Sequence, residues 1–255
     1  MLKILICILA GLGAGLGTGF AGMSAAAVIS PMLIAFLDMD PYMAVGIALA
    51  SDVLASAVSA VTYGRSKNLD VRNGLVMMAA VLCFTAVGSF VASIVPKTTM
   101  GNFSVVMTLL LGIKFIVKPV VAPKPCLTDA TTAQKVIRSL LGGALVGFIC
   151  GFVGAGGGMM MLLVLTSLLG YELKTAVGTS VFIMSVTALT GAVSHFAIGG
   201  LPDITALIVC VVSTLVFAQV AALFANRAQP KTLNRVTGAV LVVLGTAILI
   251  VNFCK

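Results

Sequence analysis

Few side chains in this sequence can do chemistry, and most of those lie inside apolar runs. Asp52 sits near the middle of the run over residues 43–63, beside Ser51 and Ser56. A carboxylate buried in such a run is expensive and marks a functional position, here as carrier of a coupling proton. Its other use is structural, accepting hydrogen bonds from neighbouring Ser or Thr. If ionised it would repel an anion, so protonation as an anion enters is the simplest coupling. Thr179 and Ser180 follow Gly178 one turn into the run over 175–197. Their hydroxyls can donate to an anion, or bond back to their own helix. His195, the only histidine, ends that run and has the alternative roles of pH-sensing gate and structural residue. Glycines cluster at Gly19 and Gly22, before Met23-Ser24, and again at Gly154, Gly156, Gly157 and Gly158. Glycine turns that open a helix present bare N–H groups, which suit an anion. Spaced glycines also allow close helix packing, but the Gly156-Gly157-Gly158 run favours a turn.

The rest of the chain excludes most other chemistry. Of 255 residues, 60% are hydrophobic and 9% charged, and mean hydropathy is +1.22. Soluble domains carry about 25% charged residues. The natural solvent of this chain is lipid. The net charge of +8 does not imply a nucleic-acid partner. The basic residues sit in short gaps between apolar runs, as membrane topology requires. Cys7, Cys83, Cys126, Cys150, Cys210 and Cys254 form no CxxC pair, and a single histidine completes no metal cluster with them. With no HExxH and no Walker motif, the reading is no enzyme and no cofactor.

Shifted by 132 positions, the sequence matches itself. Gly15, Gly19, Phe20 and Gly22 fall on Gly147, Gly151, Phe152 and Gly154. Ala44-Val45-Gly46 falls on Ala176-Val177-Gly178. Further on, with a small drift, Pro96-Lys97-Thr98 meets Pro230-Lys231-Thr232. The chain therefore reads as a duplicated unit within one membrane domain, with repeats over 1–118 and 136–255 and a Pro-containing linker over 119–135. Each repeat has four apolar segments, about 4–37, 43–63, 73–95 and 101–117 in the first and 136–169, 175–197, 204–225 and 234–253 in the second. Three of each four fit a spanning helix. The first is too long, roughly 51 Å as a helix against a hydrocarbon core of ~30 Å. Two arms joined at the glycines fit better. If that hairpin returns to its own side, Lys3, Lys97 and Lys255 lie outside and the remaining 12 of the 15 Lys and Arg lie inside. Single crossings would divide the same charges 10 to 5. The positive-inside rule prefers the hairpin.

A hairpin plus three crossings is an odd unit, so two copies must point in opposite directions. The expected fold is an all-α, multi-pass membrane protein of two inverted repeats. Each is a broken glycine-rich hairpin plus three transmembrane helices, with both chain termini outside. The two turns would approach the midplane from opposite faces and hold an anion, as broken segments of inverted halves do in transporters. The apolar faces leave a homo-oligomer open.

The second repeat carries Gly147-Phe-Ile-Cys-Gly151-Phe-Val-Gly154-Ala-Gly156-Gly157-Gly158, then Ala176-Val177-Gly178-Thr179-Ser180, then Ser194-His195-Phe196-Ala197-Ile198-Gly199-Gly200. This pattern resembles the sulfite exporter TauE/SafE family of membrane permeases. The first repeat departs from it, with Gly22-Met23-Ser24 in place of a glycine run and Ile47-Ala48 in place of Thr-Ser. The resemblance implies a secondary transporter in the plasma (inner) membrane. Its substrate would be a small sulfur oxyanion or organosulfonate such as sulfite or sulfoacetate, moved outward. A passive anion channel is the alternative.

Overall fold

The computed structural model describes residues 2–92, 131–153, 157–199 and 202–253, with 109, 110, 113, 116 and 117 besides. Every regular element among them is helical. The long first segment breaks at its glycines, into α1 (Leu2–Ala21) and α2 (Ala26–Leu37). Then come α3 (Pro41–Arg65) and α4 (Val71–Ala92). The second half starts with α5 (Thr132–Val153) and α6 (Gly157–Leu163), which continues as a π turn over Val164–Leu168. It goes on through α7 (Leu173–Gly199), α8 (Ile204–Arg227) and α9 (Pro230–Phe253). The first repeat's segment over 101–117 lies almost entirely outside the described residues. Two helices begin four residues before the expected segments: α9 at Pro230, and α5 at Thr132, inside the expected linker. Thr131 and Gln134 cap it reciprocally, each side chain accepting the other's backbone N–H at 3.4 and 3.1 Å.

Element bounds in the two halves follow the 132-residue offset to within about three residues. The agreement reaches single dihedrals. Asp38 closes α2 in the left-handed region at φ 49°, and Gly170, its mate under the offset, has φ 73°. The N–H of Met39 donates to Leu33 O at 3.3 Å, and that of its mate Tyr171 to Leu165 O at 2.9 Å.

Helix partners are exchanged between halves. α1 packs along α8 and α4 along α5, while the equivalent helices α3 and α7 pack on each other. Leu49 meets Gly191 and Tyr63 meets Gly178, so α3 and α7 run antiparallel. Gly11 meets Ser213, Gly15 meets Ala218 and Gly19 meets Ala221, so α1 and α8 run parallel. Gly143 and Gly147 meet Met77 and Val81 in the same way. These glycines recur every fourth residue, one face of a helix, and let two backbones approach closely. A Cβ on Gly15 would stand 2.7 Å from Thr214 O and 2.8 Å from Ala218 N, both backbone atoms. Gly15→Val should therefore destabilise the fold by about 1–3 kcal/mol, read as a lower Tm in detergent. At Gly64 an added Cβ meets only the Leu69 side-chain tip at 3.3 Å, so Gly64→Ala should leave Tm nearly unchanged.

The exterior is apolar and the interior mixed, the reverse of a soluble protein. On α8 the exposed residues Ile204, Ile208, Val212, Val216, Val220 and Phe224 recur every fourth position. Thr18, Ser24, Ser51, Asp52, Ser56, Ser59 and Ser180 are buried. Four described helical stretches, Leu2–Ala21, Met43–Arg65, Leu173–Val193 and Ile204–Arg227, are long and apolar enough to span a bilayer. The chain is an integral membrane protein. Lys3, at the start of α1, and Asp40, just after α2, line one cavity, so both arms of the first segment open at the same end.

Candidate functional site

Residues 22–25 reverse the chain between α1 and α2. Gly22 takes φ +59°, a conformation that other residues adopt at a cost. Its N–H donates to Thr18 O at 2.9 Å, and the Thr18 hydroxyl lies 3.0 Å from Met23 O. Ser24 starts α2: its Oγ accepts from the Ala26 N–H at 3.3 Å, relieving one free donor of the first turn. From α7, the Ser180 hydroxyl donates to Gly22 O at 2.8 Å. The Tyr63 hydroxyl of α3 donates to Gly19 O at 2.8 Å. Three helices thus fix the shape of the turn.

The start of α6, in the second repeat, meets this turn. A Cβ on Gly158 would lie 2.5 Å from Ser24 N, 2.7 Å from Met23 Cα and 2.8 Å from Gly22 O. Gly158 is therefore in backbone contact with Gly22, Met23 and Ser24. Gly154 and Gly156 lie outside the described residues, and Gly157 is the first residue of α6.

Asp52 lies against the same turn. It is fully buried; its Oδ2 accepts from the Ser24 hydroxyl and its Oδ1 from the Ser56 hydroxyl, each at 2.8 Å. The Ala25 N–H also donates to it. The carboxylate thus stands at the N-terminal end of α2, where free N–H groups and the helix dipole favour negative charge. Sequence reasoning read Asp52 and the turn as separate features, because 28 residues separate Ser24 from Asp52. The structure makes them one unit. The offset places Met184 where the first repeat has Asp52, so the carboxylate belongs to one half only.

The remaining expected residues lie around this centre. Gly19 sits on the face of α1 that packs on α8. Thr179 is one residue from Ser180, but its Oγ1 accepts from the Asp70 N–H at 3.2 Å, at the start of α4. His195 lies in α7 near the end of that helix.

Both ends of the molecule carry polar contacts between halves. At the end holding Arg65, Arg72, Lys174 and Arg227, the Asn68 amide donates to Asn226 Oδ1 at 2.8 Å and Lys174 to Asn226 O at 2.9 Å. The Tyr171 hydroxyl donates to Asp70 Oδ2 at 2.7 Å. Burial, and then the Asp70 carboxylate, push the Tyr171 phenol well above its usual range, so it remains a donor at any physiological pH. Sequence reasoning missed this cluster, because only the tertiary fold brings these loops together. At the opposite end Lys3 pairs with Asp203. That ion pair and the Ala206 N–H hold the Asp203 carboxyl below its usual range. A cavity of about 350 Å³ opens beside the pair, lined by Lys3, Leu37, Met39, Asp40, Met43 and Asp203. Among the described residues, the end rich in cations is tied by several hydrogen bonds between halves, while the other holds the Lys3–Asp203 ion pair and a cavity.

Comparison with known proteins agrees with this architecture. The family described as Sulfite exporter TauE/SafE matches residues 7–248. The chain is 26% identical over 264 residues to the protein named "Probable membrane transporter protein YunE" of Bacillus subtilis (strain 168), covering 96% of each chain. It is 24% identical over 230 residues to "Probable membrane transporter protein YdhB" of the same organism, covering 89% of this chain and 90% of that one. A match across nearly the whole chain, on a helical membrane fold with a broken first segment, makes this protein a membrane transporter of the sulfite exporter TauE/SafE family.

Proposed function

We propose that this transporter exports a small sulfur oxyanion or organosulfonate, of the sulfite or sulfoacetate type, by alternating access. The observation that carries the reading is the backbone contact of Gly158, at the start of α6, with the glycine turn beside Asp52. The anion binds at the α2 N-terminus, on the Ser24 hydroxyl and the Ala25 N–H, with Gly158 of α6 opposite. While ionised, Asp52 holds those donors itself. Protonation removes its charge and releases them, so anion binding and ionised Asp52 exclude each other. The two inverted halves rock about the α3–α7 contact and expose this site to each side in turn. The bonds at the cationic end then close the inner gate in the present conformation. Tyr171→Phe should weaken that gate and lower steady-state flux several-fold, with Tm nearly unchanged.

The test is flux in proteoliposomes across sulfite, thiosulfate, sulfoacetate, taurine, acetate and nitrate, with and without a pH gradient. Saturable movement of one sulfur anion that responds to the gradient supports the proposal. Non-saturating flux of many anions would mean a passive channel.

A further inference from the structure

We propose that Asp52 exchanges its proton with the cytoplasmic surface along one face of α3, through Ser56, Ser59, and Thr62 with Gln219 of α8. This rests on the reading of Asp52 as the proton carrier. Positions 52, 56, 59 and 62 follow helical spacing, so their side chains form one column. Each step rises about 4.5–6 Å. Asp52, Ser56 and Ser59 are fully buried, and Thr62 is nearly so. The Ser56 hydroxyl donates to Asp52 at 2.8 Å, and that of Thr62 lies 2.9 Å from both Gln219 Oε1 and Val58 O. Between these two pairs stands Ser59, whose Oγ has no hydrogen-bond partner among the described residues. A buried hydroxyl without a partner is costly and is the usual seat of an internal water. Six residues of helix separate Ser56 from Thr62, a rise of about 9 Å, so the relay requires a water on Ser59 to bridge them. The column ends at Ser66, which is exposed beside Arg65.

The column is one-sided. From Asp52 toward the other end of α3, the same face holds Leu49, Ala48 and Val45, which offer no hydroxyl. Among the described residues, the donors to Asp52 are the Ser24 and Ser56 hydroxyls and the Ala25 N–H. The charged residues of the elements packed around α3 stand near helix ends: Lys3 of α1, Lys174 of α7, Arg227 of α8 and Arg65 of α3 itself. His195 lies toward the far end of α7; the nearby phenol, Tyr63, is engaged with Gly19 O. The proton passes by relay: each hydroxyl oxygen, and the water on Ser59, accepts one proton and gives up another, while Gln219 Oε1 only accepts from Thr62 and orients that hydroxyl. In sum, one hydronium at the surface becomes water, and one Asp52 carboxylate becomes a carboxylic acid.

The test needs no knowledge of the substrate. Full-length protein in vesicles is acidified rapidly on both sides, and the carboxylic-acid C=O band is followed by time-resolved infrared spectroscopy. The band that disappears in Asp52→Asn belongs to Asp52. Ser59→Val should slow its appearance at least tenfold, while Ser59→Thr should keep the wild-type rate. If Ser59→Val fails to fold, Thr62→Val combined with Gln219→Leu breaks the column one turn further on and should slow the band equally. A wild-type rate in the blocked variant overturns the relay while leaving Asp52 as carrier. No band lost in Asp52→Asn at any pH overturns the carrier itself, and the relay with it.

Discussion

Gly158→Ala should stop transport. The added methyl would meet three backbone atoms of the 22–25 turn, Ser24 N, Met23 Cα and Gly22 O, all within 2.8 Å. Backbone cannot swing aside as a flexible side-chain tip can. The start of α6 must move off the turn, and the Ala25 N–H and Ser24 hydroxyl lose their neighbour there. We expect flux to fall by at least about 100-fold, equal to about 2.7 kcal/mol of lost transition-state stabilisation. The contact joins the start of α6 to the 22–25 turn and not two long helices, so Tm should fall less than in Gly15→Val. Wild-type flux in Gly158→Ala would show that this contact need not persist during the cycle. Gly22→Ala should act in the same direction for a second reason, since it places a side chain at φ +59° beside Ser180.

Asp52→Asn should flatten the pH dependence of transport. In the wild type, acidification converts the carboxylate to the neutral acid and frees Ser24 and Ala25, so flux should rise as pH falls. The amide has no charge to lose. Its oxygen can still accept from Ser24 or Ser56, which keeps the helix start in place. Expected is a wild-type change of about tenfold between the acid and alkaline arms, the size of a 1.4 kcal/mol difference in binding, against less than twofold in the variant. The measurement is initial flux of whichever anion the proteoliposome panel shows to be transported, at a series of symmetric pH values. An unchanged pH profile in Asp52→Asn would remove the proton role from this residue.

Much of this was legible in the sequence, for identifiable reasons. The 132-residue offset anticipates the element bounds closely. The break in the first segment follows from its length. The return of α2 to the end where α1 began follows from the distribution of Lys and Arg. Less legible was what each glycine does. Gly11, Gly15 and Gly19 share a four-residue spacing that signals a packing face, whereas Gly22 stands off that series and takes the left-handed turn. That spacing was the signal available for separating Gly19 from Gly22. Contacts across the fold were not legible. Ser24 with Asp52, Tyr171 with Asp70 and Asn68 with Asn226 depend on how helices pack, and no local pattern encodes them. The same holds for Ser180, whose hydroxyl holds the opposite turn through Gly22 O.

The exchange of helix partners between halves has a consequence for how the chain is made. Gly15 of α1 waits for Thr214 of α8, about 200 residues later in the chain. At ~5–20 residues per second, a ribosome takes about 10–40 s to supply that partner. During this interval the glycine face of α1 lies bare in the bilayer, or against whatever the insertion machinery offers. Neither half buries its first helix by itself. Cutting the gene within the 119–130 connection and producing the two pieces together should restore transport, whereas either piece alone should be cleared by membrane proteases.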